Sequence, residues 1–161
     1  EHKTVYTRGT SSDQKDLIDK KIKIIKTNRG GKYTVHSPGQ KIIYFILNLN
    51  KREKDIRKLL NKIENCVINI LKEYKISSYA DKKNIGIWIG DKKIAAIGIR
   101  VKKWIAYHGF SLNVSNDLKK YEGIVPCGIR DKGITSLKDL GIKNYNNIDE
   151  IITKQFLNTF A

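Results

Sequence analysis

The sequence is short of the residues from which most chemistry is built. Its 161 residues include two cysteines (Cys66, Cys127), three histidines (His2, His36, His108) and two prolines (Pro38, Pro126). The cysteines and histidines show no CxxC or HxxxH spacing, so no zinc site is expected. Two cysteines form at most one bridge, which excludes a disulfide scaffold. The longest uninterrupted apolar run, Ile42-Ile43-Tyr44-Phe45-Ile46-Leu47, falls far short of the roughly 20 residues that a membrane-spanning helix needs. No basic segment followed by an apolar stretch opens the chain, so no secretory signal is visible. The expected compartment is the reducing cytoplasm, with both cysteines as thiols. There is no GxxxxGK phosphate loop ending in Ser or Thr, no GxGxxG opening a helix, and no GxSxG elbow. ATP, dinucleotide and serine-hydrolase chemistry therefore lack local support.

Charge of one sign is abundant instead. The 32 Lys and Arg against 16 Asp and Glu give a formal charge of +16. Such basicity suggests a nucleic-acid partner, but its kind argues otherwise. Of the cations 26 are Lys and only six are Arg (8, 29, 52, 57, 100, 130). The planar fork of Arg is what base edges and phosphates favour. Ile and Asn are also abundant, with 26 and 13 copies against five Ala. Lys, Ile and Asn share A/T-rich codons, so genomic bias alone yields this composition. At 40% hydrophobic the chain is no disordered basic tail. A chain of this length buries roughly 70% of its unfolded surface, which suits one domain over residues 1–161.

Periodicity predicts a mixed α/β (α+β) domain with a largely antiparallel sheet flanked by helices. Thr4 to Thr7 reads as a strand, Gly9 to Asp13 as a small-residue loop, and Ile22 to Lys26 as a half-buried strand. Arg29-Gly30-Gly31 turns the chain into Tyr33 to His36, and Ser37-Pro38-Gly39 is a turn signal. Ile42 to Leu49, apolar but for Asn48, reads as a strand buried on both faces. A helix is predicted over Lys54 to Lys75, with Ile56, Leu59, Leu60, Ile63, Val67, Ile70, Leu71 and Tyr74 as its stripe and Cys66 as a structural, inert thiol at its edge. Strands follow over Ile85–Ile89, Lys93–Lys102, Trp104–His108 and Phe110–Val114, with a Gly90-Asp91 turn. Gly123 to Gly133 is irregular. Asn147 reads as the N-cap of a last helix, with Asp149 and Glu150 in its first turn.

The two prolines mark the special places: one follows His36 by two residues and the other precedes Cys127. A proline ahead of a nucleophile fixes the local backbone, and Gly128 after it opens backbone N–H groups to a substrate oxyanion. A free thiol titrates near 8.5 and needs a nearby cation to act at neutral pH. Spacing alone does not say which lysine that is.

Four segments carry a resemblance. Arg29-Gly30-Gly31-Lys32-Tyr33-Thr34-Val35-His36-Ser37-Pro38-Gly39-Gln40 resembles the RGG-x-x-T-x-HGPGQ signature of the octanoyl (lipoyl) transferase family. Lys93 to Val101 (KIAAIGIRV) is similar to that family's lysine-bearing strand, and His108 to Val114 (HGFSLNV) to its HG-x-A-L-N segment. Val125-Pro126-Cys127-Gly128-Ile129, followed by Thr135-Ser136-Leu137, resembles its P-C-G loop. The four occur in the family's order.

The resemblance implies a biotin/lipoate protein ligase-like fold and transfer of octanoyl from acyl carrier protein to a lysine of lipoyl domains, with no ATP, metal or other cofactor. The implied acceptors are the lipoyl domains of 2-oxoacid dehydrogenase complexes and the glycine-cleavage carrier protein; no nucleic acid or membrane is implied. It assigns Cys127 as the nucleophile that forms an acyl thioester, and Lys93 as the neighbour that lowers the thiol pKa and shuttles protons. An ammonium within a few Å of a thiolate stabilises both charged forms, so such a pair titrates as one unit. It implies substrate contacts at Arg29, Gly30, Gly31, Lys32, Tyr33, Thr34, Val35, His36, then Ala96, Ile97, Gly98, then Gly109, Phe110 and Ser111. His36 is expected in the substrate pocket and not as a base. Small residues on a strand also suit an eight-carbon chain lying against backbone.

Three departures from the family pattern stand out. Ser37 occupies the usual Gly of HGPG, which strains the turn if φ there is positive. Ser111 replaces a common Ala. A strand and helix that normally precede this region are missing, so the chain is expected to be a processed or truncated piece with an exposed strand edge. Two other functions remain open at this stage: an ATP-dependent lipoate or biotin ligase, and a basic nucleic-acid-binding module. If the acyltransferase reading holds, the lysine-rich surface serves to steer acidic carrier and lipoyl domains.

Overall fold

The lysine-bearing segment forms the central strand of a large sheet. In the computed structural model, which describes residues 1–125 and 132–161, this strand is β7 (Lys92–Lys102). The preceding strands are β1 (Val5–Arg8), β2 (Ile24–Lys26), β3 (Tyr33–His36), β4 (Gln40–Asn48), β5 (Tyr79–Ala80) and β6 (Ile87–Ile89); β8 (Ile105–Asn113) and β9 (Gly133–Ile134) follow. The sheet has six strands in the order β4-β8-β7-β6-β5, with β9 also on β7. All pairs are antiparallel except β7 with β9, which is parallel. A second sheet, β2-β1-β3, has three strands. The sequence pointed to one sheet; the second is short-stranded and only partly buried, which weakens its periodic signal.

Helix α1 (Ile56–Glu73) begins where Asp55 caps it, its carboxylate accepting from the amides of Arg57 and Lys58 at 2.8 and 3.0 Å. It ends in a Schellman closure: Ile76 N–H reaches Leu71 O at 3.1 Å and Lys75 N–H reaches Lys72 O at 2.8 Å. Lys75 there takes φ 59°. Leu59, Ile63, Cys66, Val67, Ile70 and Leu71 are buried as the stripe predicts, although Ile56 at its start is exposed. Each such side chain contributes about 1.5–3 kcal/mol through burial. Helix α2 (Ile148–Phe160) packs beside α1, and both cover one face of the large sheet. Asn147 is indeed its N-cap residue but makes no capping bond; its Oδ1 instead accepts from the Tyr74 hydroxyl at 3.3 Å.

Three strand expectations are corrected. β4 is not buried on both faces: Phe45 and Leu47 enter the helical core, while Tyr44 and Ile46 are 61% and 79% exposed. The cause is position, because β4 ends the strand order and its second face is only partly covered. The segments on either side of Gly109 are one strand, β8, since Gly109 lies so close to the Ile43 carbonyl that no Cβ fits there. β2 is shorter and more exposed than expected, with Ile25 and Lys26 open, and it pairs in parallel with β1. Strand β5 carried no periodic signal at two residues. The β7–β8 hairpin turns through Lys103 and Trp104, both at positive φ (50° and 61°), as a two-residue turn matching the sheet twist requires.

Candidate functional site

The three-stranded sheet lies across the outer face of β4, β8 and β7, and a cavity of about 360 Å³ opens between them. That volume falls within the ~300–1,000 Å³ of small-molecule sites. Alternate residues of the facing strands supply much of its wall. Val5 and Thr7 of β1 face it with their cross-strand partners His36 and Thr34 of β3. Opposite lie Ile42 and Tyr44, paired with Ser111 and Gly109, which in turn pair with Ala96 and Gly98. The floor is therefore built of small residues where three strands run side by side. A side chain on Gly98 would press on Arg29 and the Gly30 carbonyl, each about 3.3 Å from its Cβ position.

Arg29 closes one end. Its guanidinium donates to Gly30 O, Thr7 O, Thr7 Oγ1 and Lys32 O at 2.8–3.3 Å, which ties the Arg29–Lys32 turn to β1. Gly30 N–H donates to Ile99 O at 3.2 Å, tying the same turn to β7. Gly31 takes φ 87°, a conformation that glycine adopts without strain. Lys32 pairs with the buried Asp16 at 3.4 Å.

Of the residues expected at a substrate site, Arg29, Gly31, Lys32, Tyr33, Thr34, His36, Ala96, Ile97, Gly98, Gly109, Phe110 and Ser111 line this one cavity. Gly30 and Val35 do not: Gly30 holds the turn against β7, and Val35 is buried in a small core with Tyr33, Tyr121 and Ile124. The sequence reading missed His2, Val5, Thr7, Ile25, Thr27, Ile42, Ile43, Tyr44 and His108 as lining residues. Alternation along β1 (Val5, Thr7) and β4 (Ile42, Tyr44) carries part of that signal, once the two strands are known to face each other.

Ser37 is not among the positive-φ residues; the left-handed position of its turn is Gly39, at φ 83°. The Ser-for-Gly departure therefore costs no backbone strain. His36 Nδ1 meets Gln40 Oε1 at 2.7 Å. Burial is the main cause that holds the His36 imidazole below its usual pKa, with the Arg29 and His2 charges adding to it against the Gln40 bond. His108, at φ 68°, meets Asn28 Oδ1 at 2.7 Å. Burial, then Arg29 and Arg100, hold its pKa down as well.

Lys93 lies three residues before Ala96 and outside the cavity lining. It is 3% exposed, yet no described carboxylate pairs with it. Its ammonium donates to Ile85 O at 3.0 Å and sits 4.7 Å from the centre of the Trp88 ring. Lys132 shares that ring at 4.5 Å and reaches Asp81 at 3.4 Å. Bonds from the Asn84 side chain and the Lys83 amide, among others, lower the Asp81 pKa to about 2. On the other side of β7, β9 pairs Gly133 with Lys92 and Ile134 with Lys93, and Thr135 N–H donates to Lys93 O at 3.0 Å. Cys127, with Pro126 and Gly128, lies outside the described residues. Cys66 is fully buried on the helical face and burial pushes its thiol pKa up, as expected of an inert cysteine. Among the described residues no cluster of His, Cys, Asp and Glu could hold a metal, and no helix is long and apolar enough to cross a membrane.

Comparison with known proteins agrees with this geometry. The lipoyl protein ligase A/B catalytic domain model matches residues 1–161. An octanoyltransferase of Wolbachia pipientis (subspecies Culex pipiens, strain wPip) is 46% identical over 166 residues, covering 99% of this chain and 81% of that protein. Among solved structures, lipoate-protein ligase A bound with ATP superposes with a TM-score of 0.80 at 15% identity, covering 98% of this chain and 69% of that one. A biotin protein ligase from Aquifex aeolicus reaches 0.64 at 17%, covering 96% and 68%. The structural likeness establishes a lipoate/biotin protein ligase fold, and the sequence match goes further: the chain belongs to the octanoyltransferase family.

Proposed function

We propose that the chain, acting as one catalytic domain, transfers octanoyl in two half-reactions through a thioester on Cys127. In the first, the Cys127 thiolate attacks the carbonyl of an octanoyl thioester carried by acyl carrier protein. The new C–S bond replaces the old one, and the departing thiolate takes a proton from Lys93. In the second, the uncharged amine of a lipoyl-domain lysine attacks the Cys127 thioester. A C–N bond forms, the C–S bond breaks, and the amine proton passes through Lys93 to the released sulfur. One thioester replaces another at nearly equal energy and the final amide is downhill, so no nucleotide is consumed. The acyl chain occupies the cavity over Ala96, Gly98, Gly109 and Ser111.

One observation carries this reading. A buried ammonium that no carboxylate of the described residues pairs with stands on the strand that builds the cavity floor, and β9, six residues beyond Cys127, is hydrogen-bonded alongside it. A cation so placed is available to a thiolate. The lysine-rich surface suits acidic carrier and lipoyl domains.

Intact-mass spectrometry after incubation with octanoyl-acyl carrier protein tests the mechanism. The expected result is one octanoyl adduct, absent from Cys127→Ala and discharged by a lipoyl domain. An adduct that persists in Cys127→Ala overturns it. So does ATP-dependent transfer of free octanoate that survives Cys127→Ser, which would indicate ligase chemistry instead.

A further inference from the structure

The buried polar network beneath the cavity dictates a chemical state for His36. It can be read outward from a backbone atom whose role is fixed. Asn113 Nδ2 donates to the Thr135 carbonyl at 3.0 Å, which sets the Asn113 amide with Oδ1 toward Gln40. Gln40 is fully buried. Its Nε2 lies 2.9 Å from that Oδ1, 3.4 Å from the Val35 carbonyl and 2.9 Å from the Tyr121 hydroxyl. The first two only accept, so the Gln40 nitrogen must face them and Oε1 must face His36 Nδ1, at 2.7 Å. An amide oxygen cannot donate, so Nδ1 carries hydrogen. Burial favours the neutral ring. A neutral imidazole protonated at Nδ1 leaves Nε2 as a bare lone pair. The ring lines the cavity, and among the described residues nothing bonds that nitrogen.

We propose that Gln40 is a positioning residue that locks His36 in its Nδ1–H tautomer, so that His36 Nε2 accepts a hydrogen bond from a substrate N–H in the cavity. The tautomer stands on the network and on the burial of the ring; the substrate N–H rests on the acyl-transfer reading above. Two N–H groups reach such a site: the amine of the acceptor lysine and an amide of the arm that carries the donor thioester. Among the described residues no donor bonds that nitrogen: Arg29 Nη1 and Nη2 donate to Thr7, Gly30 and Lys32 oxygens, and the His2 ring, 5.8 Å away, engages the Tyr44 hydroxyl.

Nitrogen-15 NMR of the histidine rings in the full chain tests the first part, with His36→Gln identifying the His36 signals among the three histidines. At neutral pH His36 should show a protonated Nδ1 and a bare Nε2, and Gln40→Leu should abolish that preference. A protonated Nε2 in the unsubstituted protein overturns the proposal whether or not Gln40→Leu folds. Single-turnover kinetics test the second part. His36→Ala should slow one half-reaction about tenfold per folded molecule, the worth of one hydrogen bond, and His36→Gln should restore part of the rate. Slowing confined to Cys127 acylation identifies the donor's amide; slowing confined to discharge onto the lipoyl domain identifies the lysine. Unchanged rates in both halves overturn the substrate bond. If the unsubstituted protein never acylates, the acyl-transfer reading fails while the tautomer is still decided by NMR.

Discussion

The two faces of the large sheet are made by alternate residues of the same strands, yet they have little chemistry in common. On the helical face Phe45, Leu47, Ala95, Ala106 and Leu112 meet α1 and α2 in an apolar core where even a cysteine is silent. On the cavity face the strands present Ala96, Gly98, Gly109 and Ser111 to a space bordered by histidines, threonines and an arginine. The first face holds the sheet in place; the second is left hollow because its residues are too small to fill it. At Ala95/Ala96 and Leu112/Ser111, stability and function are thus separated by a one-residue step along the strand.

Substitutions that act on only one face test that separation. The largest effect is expected at Lys93, where the two faces give way to the proposed chemistry. Lys93→Met keeps the aliphatic bulk beside Trp88 and should reduce the rate of acyl-enzyme formation by ~10²–10⁴-fold, with melting changed by only a few degrees. A variant that retained full activity would remove Lys93 from the reaction. On the helical face, Ile63→Ala should cost about 2–5 kcal/mol, seen as an earlier denaturant midpoint, while kcat/KM per folded molecule stays level. A change in acyl-chain preference there would break the separation. On the cavity face, Ala96→Leu should raise KM for an octanoyl donor about tenfold, the order expected when a pocket must exclude the methylenes that it formerly held. A butanoyl donor should be affected less, and melting should scarcely move. Equal losses for both donors would place the chain elsewhere.

How much of this could be read from the sequence depends on which forces wrote it. α1 was legible almost to the residue, because a stripe of Leu, Ile and Val at helical spacing leaves one solution, although the cap at Asp55 moved its start inward. The lysine-bearing strand and the glycine-rich turn were legible through residue type, and the resemblance placed them at one site. What could not be read was contact between distant segments. That Thr7 faces Thr34, that Gln40 reaches Asn113, or that the second face of β4 lies open depends on strand order, which local pattern does not encode. Gly30 and Val35 were assigned to the substrate by lying within a motif, whereas Val35 is buried in the small core with Tyr121 and Ile124. Gln40 was visible only as the last letter of a motif; its role emerges from four partners on three different segments.

The shared partnership of β7 has a consequence for the order in which the molecule assembles. From Ala95 onward β7 pairs with β8 through a two-residue turn, a contact that a chain can zip locally and early. At Lys92 and Lys93 the strand pairs with β9, with Ile134 lying 134 − 93 = 41 residues beyond Lys93. Closing that longer loop costs more chain entropy and returns only a short parallel ladder. The β7–β8 hairpin, one part of the cavity floor, is therefore expected to form before the surroundings of Lys93 are complete. A refolding chain should regain the β7–β8 hairpin before its capacity to react with an acyl group.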